Sequence, residues 1–305
     1  MLDFLSYGFL RRSLCAAALA GPVCGLLGVF LTARGMAFFS DALAHTAITG
    51  VALGLLAEGA VEFWLGLHLP PGLPSGLLVL WCLGAAWVMA KLFESARWRP
   101  DTVMAFCFTG SVAFGVLVLG KLGRYGFLEQ TLFGDINANS WGDVVALGAV
   151  TAAAGAVLWT RLREFLLILV DEDLALADGI PVRRLNRILV LLVAAVVAIA
   201  LKLLGALLVS ALLVVPAATA RLIAPNLRFL LALAVVGGLL SSVGGVILSF
   251  YLDLATGPTI VLTQLALLLL ALGWRPLLGR GRRDQRSGSI PETSSQSIWP
   301  SSDSR

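Results

Sequence analysis

Long apolar runs separated by short polar stretches recur along the whole chain, and within each run the apolar residues are continuous rather than alternating. Continuity over about 20 residues predicts a helix that crosses a bilayer, whereas the strands of a membrane barrel would alternate from one residue to the next. The runs predict spans at about 13–33, 34–56, 75–92, 101–120 and 143–160. Two more lie within about 185–224, one at about 229–250, and a last one ends near Trp274. The expected fold class is an all-α polytopic membrane protein with eight or nine transmembrane helices. Gly21-Pro22 is expected to interrupt the first span, and Lys202 with Gly205 to mark the junction of the sixth and seventh. Pro216, followed by small residues, is expected to unwind the seventh helix or let it pack closely. Asp253, Gly257 and Pro258 read as the turn before the last span.

The second run is the one that carries chemistry. Asp41 and His45 are four residues apart, so a helix projects both from one face about one turn apart. Ionisable groups inside a spanning helix are costly to bury and face a polar pathway or a partner. Two readings stand side by side: a hydrogen-bonded pair satisfying itself within a bundle, or an oxygen and a nitrogen ligand on a transport path. Thr49 extends this polar stripe by one turn. Thr46, Gly50 and Gly54 form a second, small-residue stripe that lets a neighbouring helix come close.

Composition agrees with the pattern. The chain is 59% hydrophobic and 13% charged, with a mean hydropathy of +0.93, against about 25% charged residues in a soluble domain. The net charge of +4 is small and sits mostly at membrane edges, so it reports topology rather than nucleic-acid binding. Lys91, Arg97 and Arg99 place the end of the third span in the cytoplasm, as Arg221 and Arg228 do for the end of the seventh. Residues 58–74 hold Glu58, Glu62, Trp64 and His68 but no Lys or Arg, the composition of an external loop. His68 there is either a first contact for a metal or a plain surface histidine. Cys15, Cys24, Cys82 and Cys107 lie singly in apolar runs, without metal-knuckle or redox spacing, and read as packing. No cleavable leader is expected, because the first apolar run leads into more membrane.

Between the runs, Gly115 to Lys121 matches Gly-x-x-x-x-Gly-Lys, but Leu122 replaces the magnesium-binding hydroxyl and no soluble strand precedes it. The chain is therefore expected to hydrolyse no ATP itself. Residues 161–187 break the membrane pattern: Asp171-Glu172-Asp173 opens a short Ala/Leu stretch that Asp178-Gly179 closes, and Pro181 with Arg183, Arg184 and Arg187 opens the next helix. The basic residues put this segment inside the cell. It is either a short helix docked on a partner or a solvated connector. After about residue 275 the chain is Arg-, Ser- and Pro-rich, and the expected organisation is a membrane domain over 1–275 and a disordered cytoplasmic tail over 276–305.

Five blocks, taken in order, resemble one family, the permease subunits of bacterial ABC importers for zinc, manganese or iron, of the ZnuB type. Residues 34–54 are similar to its Arg-x-Met…Asp-x-Leu-x-His…Gly-Val-Ala-x-Gly segment, and Leu132-Phe133-Gly134-Asp135 to its Leu-Phe-Gly-Asp loop. Residues 171–187 resemble its cytoplasmic segment, and 205–222 its Pro-Ala-x-Thr-Ala-Arg helix. Asp253 to Leu262 resemble its Asp-x-x-x-Gly-Pro turn. Ser40 stands where Gly often precedes the Asp, and the tail is longer than usual.

The resemblance implies an ABC importer permease bundle in the bacterial inner membrane, working as a homodimer. Two ATPase subunits would sit below it and a soluble metal-binding protein would deliver cargo above. It assigns Asp41 and His45 to an intramembrane metal gate. It assigns Asp171, Glu172, Asp173, Leu174, Ala175, Gly179 and Pro181 to ATPase coupling, while Gly50, Gly54, Gly205 and Pro216 read as helix-packing positions. No cofactor is expected to be bound permanently. The cargo is a divalent metal, zinc first and manganese or iron as alternatives, since imidazole and carboxylate suit all three. The rival reading is an ion-coupled secondary transporter in which Asp41 and His45 relay protons. An intramembrane metalloenzyme would need further ligands and a His-Glu-x-x-His motif that the chain lacks.

Overall fold

The computed structural model describes residues 8–66, 73–95, 99–124, 126, 134 and 140–283. The elements in order are α1 (Gly8–Ala33), α2 (Phe39–Leu65), α3 (Leu73–Ser95), α4 (Pro100–Lys121), α5 (Trp141–Thr160), α6 (Leu162–Val170), α7 (Glu172–Ala177), α8 (Val182–Leu204), α9 (Ala206–Ile223), α10 (Leu227–Leu252) and α11 (Thr256–Arg283). Among the described residues, nine helices are long and apolar enough to cross a membrane, the upper of the two expected values. The last helix continues to Arg283, past the expected domain boundary at 275. His68, most of the Leu-Phe-Gly-Asp block, Asn137, Asn139 and the chain after 283 lie outside the described residues.

Helix α1 is the hub. It packs against α10, α9, α5 and α8, while α2 is clasped by α3 and α4 on one side and by α8 and α9 on the other. Lipid offers no hydrophobic drive for helices to associate, so close approach through small residues must supply the contact energy. A Cβ on Gly28 would stand 1.7 Å from the Leu213 carbonyl oxygen of α9, and on Gly25 and Gly21 within 2.4 Å of carbonyl oxygens of α10. These three glycines, on one face of α1, let the hub helix touch its neighbours backbone to backbone.

The prolines do not break their helices as expected. Helix α1 runs through Pro22 and α9 through Pro216 without interruption. A proline within a helix removes the amide that would serve the carbonyl four residues earlier, and tight packing compensates. The carbonyl freed by Pro22 is that of Ala18; one residue earlier, the Ser242 hydroxyl of α10 donates to the Ala17 carbonyl at 2.9 Å and holds α10 against the same turn. Pro216 is itself buried against α1, so of the two expectations for it, close packing holds and unwinding does not. Gly257 and Pro258 likewise belong to the first turn of α11 rather than to a turn, where helical amides have no partner to lose. Asp253 makes the turn alone, with φ of 51°.

Gly205 forms the expected α8–α9 junction with φ of 83°. A Cβ on Gly134 would lie 2.7 Å from the Gly205 amide nitrogen, so the loop after α4 rests its glycine on that junction. Lys202, one turn before it, pairs with Asp143 of α5 at 2.8 Å.

Candidate functional site

Helix α2 opens at Phe39, whose buried ring fixes its first turn in the core, and Asp41 and His45 follow one turn apart. His45 Nδ1 stands 2.9 Å from the Asp41 backbone oxygen and 3.5 Å from Asp41 Oδ1. A carbonyl can only accept, so Nδ1 carries the proton in the neutral ring and the lone pair is left on Nε2. Nε2 is thus the nitrogen available to a metal. The carboxylate lies on the Nδ1 side of the ring, so in this conformation the two residues are not aimed at a common ion. Asp41 also accepts a long hydrogen bond, 3.4 Å, from the Ser210 hydroxyl of α9.

The face bearing the pair looks toward α4. The His45 ring meets Phe108 edge-on, with centroids 4.9 Å apart, and Thr49 donates to the Ser111 carbonyl. Thr49 is buried by that contact, so it holds α2 to α4 rather than extending the polar path. Gly115 lies on the same seam: its missing Cβ would stand 2.9 Å from the Thr49 amide nitrogen. The glycine of the Gly-x-x-x-x-Gly-Lys match therefore serves helix packing within α4. Asp41 lines a cavity of about 290 Å³ with Phe38, Met104, Phe108 and a second carboxylate, Asp101, from the first turn of α4. The Asp41 side chain is 43% exposed and that of His45 24%. The pair is reachable, not sealed in the core.

The small-residue stripe lies in the buried part of α2. Gly50 admits Leu78 and Trp81 of α3, whose atoms would lie 3.2 Å from an added Cβ, and Thr46 and Gly54 are buried on the same helix. Helix α2 thus presents one face to α3 and its polar face to α4.

The segment between α5 and α8 forms a hairpin of two short helices. Phe165 of α6 is buried against Phe30 of α1, with ring centroids 5.7 Å apart, and anchors the segment to the hub. Asp171 caps α7, its carboxylate accepting from the amides of Asp173 at 2.9 Å and Leu174 at 3.0 Å. Ala175 is buried, and Gly179, with φ of 76°, turns the chain toward Pro181 and α8. Glu172 and Asp173 are exposed, Glu172 also lining a cavity beside α8, and Leu174 and Leu176 are 50% and 54% exposed. Apolar side chains held outward beside acidic ones, on a helix too short to span a membrane, form a surface suited to a partner.

Asp41 with His45, and Asp171 through Pro181, are thus two separate sites, joined by α8 and by the connection before α2. Ser210, Phe108 and Asp101 around the gate pair, and Arg34 with Asn186 between the sites, were not foreseen. No spacing rule links residues that far apart in the chain. Among the described residues no three His, Cys, Asp or Glu side chains gather as a metal site.

The chain from residue 6 to 275 matches the family described as ABC 3 transport family. It is 32% identical over 296 residues to the manganese transport system membrane protein MntC of Halalkalibacterium halodurans, covering 96% of this chain and 97% of that one. It is also 32% identical over 261 residues to the high-affinity zinc uptake system membrane protein ZnuB of Haemophilus influenzae, covering 84% and 95%. Among solved structures, PsaBC from Streptococcus pneumoniae in complex with a Fab superposes with a TM-score of 0.72 at 30% identity, over 88% of this chain and 93% of that one.

Proposed function

The chain belongs to the ABC 3 transport family, and on that premise we propose that it is the membrane-spanning permease subunit of an ATP-driven importer of a divalent transition metal. The observation that carries the reading is the Asp41–His45 pair, reachable on a helix long and apolar enough to cross the membrane. Oxygen and nitrogen donors of this kind take zinc, manganese or iron.

Zinc prefers about four ligands, and one chain supplies two. Two copies facing each other across a twofold axis would supply two carboxylates and two imidazoles. Such a set replaces the water around the ion one ligand at a time. It releases the ion when the two α2 helices part, since transport needs binding that can be switched off. Rotation of His45 away from the Asp41 carbonyl brings Nε2 into play. ATP is hydrolysed on separate subunits that dock against α7, where Leu174 and Leu176 give apolar contact and Asp171, Glu172 and Asp173 give charge. A soluble metal-binding protein supplies the ion from the opposite side.

Zinc is the cargo we propose first. Manganese is the second reading, favoured because relatives named for manganese and for zinc are equally identical to this chain. In the reconstituted transporter, the double variant Asp41→Ala, His45→Ala is expected to assemble normally and lose uptake by about tenfold or more. Uptake at the rate of the unsubstituted chain would remove the gate assignment.

A further inference from the structure

We infer that Arg34 is a positioning residue that ties the start of the gate helix to the ATPase-facing segment, so that a displacement of α7 reaches α2 through one guanidinium. The inference rests on the proposed docking of the ATPase at α7.

Arg34 lies in the short connection between α1 and α2. That connection is not slack: the amides of Arg34 and Met36 donate to the Leu31 carbonyl at 3.2 and 3.0 Å, and the Phe39 amide donates to the Met36 carbonyl at 3.1 Å. Met36 and Phe39 are both buried. A pull on Arg34 is therefore delivered to the first turn of α2, where Asp41 sits. One guanidinium nitrogen, Nη1, donates to Oδ1 of Asn186 in α8. The other, Nη2, is buried and has no hydrogen-bond partner among the described residues.

Beside that buried nitrogen, Arg34 lines a cavity of about 440 Å³, whose polar wall includes Glu94, Glu172, Arg183, Asn186 and Arg187. Glu94 is already engaged: Arg187 donates from Nη2 to its Oε2 at 2.7 Å and from Nε to its Oε1 at 3.2 Å, a two-pronged pair that staples α8 to α3. Glu172, the first residue of α7, is the carboxylate left to Arg34. Burial lowers the pKa of the Arg34 guanidinium, and the nearby Glu172 carboxylate works against that shift. They do not close to an ion pair in this conformation. A buried guanidinium with one neutral partner and a terminal nitrogen whose two N–H groups have no acceptor among the described residues is poised to take a carboxylate. Movement of α7 inward brings Glu172 to it, and the new bond drags the α2 connection along.

The test uses the complete transporter in proteoliposomes and reads two quantities together, metal ions taken up and ATP hydrolysed. Arg34→Gln is expected to lower the ratio of metal to ATP by about tenfold, and Arg34→Lys, which keeps the charge, to restore at least about half of it. Glu172→Gln is expected to lower the ratio likewise, and the Arg34→Gln, Glu172→Gln double variant to be no worse than either single one. If Arg34→Gln does not assemble, Glu172→Gln, at an exposed position, decides between the outcomes. A ratio equal to that of the unsubstituted transporter in either variant overturns the inference. So does a parallel fall in uptake and hydrolysis, which marks a mere staple. Leu174→Asp serves as the control: it is expected to detach the ATPase. If the ATPase stays bound, the docking reading fails and takes the inference with it. If it detaches while Arg34→Gln keeps a normal ratio, the Arg34 inference fails alone.

Discussion

At the level of single residues, the proposed gate pair is written in a four-residue spacing, and its surroundings come from contacts that the spacing does not contain. Asp41 and His45 are legible because a helix of fixed period puts them on one face. The tautomer of His45 is not, because it depends on a backbone carbonyl at 2.9 Å. The Ser210 hydroxyl lies 169 positions away in sequence from the carboxylate it meets. At 3.4 Å that bond is long, so Ser210→Ala is expected to change uptake by less than about threefold, measured beside the Asp41→Ala, His45→Ala variant. Thr49 looked like part of the path from its place on the stripe, and its role is different. Its hydroxyl holds α4 through the Ser111 carbonyl. Thr49→Val is expected to cost about 0.6 kcal/mol of folding stability in detergent, within the range for hydrogen bonds between membrane helices, and to leave metal selectivity unchanged. A shift in selectivity would return Thr49 to the metal path.

Among the elements, apolar runs located the spans, and local punctuation located the short helices. Asp171 and Gly179 bound α7 as their residue types imply, by capping and by a left-handed turn. Gly205 separates α8 from α9 for the same reason. Gly21-Pro22, expected to interrupt the first span, was the misleading signal. Pro22 and Pro216 are breakers in isolation, but neighbouring helices hold both in place and the helices run on. The glycines of α1 carry the opposite lesson: their spacing was visible, yet its meaning depends on which helix crosses there. With the Leu213 carbonyl oxygen 1.7 Å from an added Cβ, Gly28 cannot accept a side chain unless α1 and α9 move apart. Gly28→Leu is expected to lower the yield of folded protein sharply and to destabilise what remains by more than about 3 kcal/mol, the upper end of ordinary overpacking. Gly59→Ala, where nothing stands within 4 Å, is the matched control and is expected to be neutral.

In the molecule as a whole, α1 is a hub, α2 carries Asp41 and His45, and α6 and α7 form a hairpin of short helices. The class of protein was legible from composition and block order, and the family match over residues 6–275 agrees. The choice of metal was not, because Asp and His donors suit several first-row ions. Everything proposed for the gate and the coupling segment depends on ATP-driven metal uptake through this bundle. Uptake of radiolabelled zinc can be followed into proteoliposomes that hold this chain with its ATPase and metal-binding protein, ATP inside. Unlabelled zinc, manganese and iron are added in turn as competitors. Import of the proposed kind predicts uptake that requires ATP and the ATPase and is displaced by unlabelled zinc. Displacement by manganese or iron would keep the class and change the cargo. Zinc uptake that persists without ATP or ATPase, driven by a proton gradient, would contradict it.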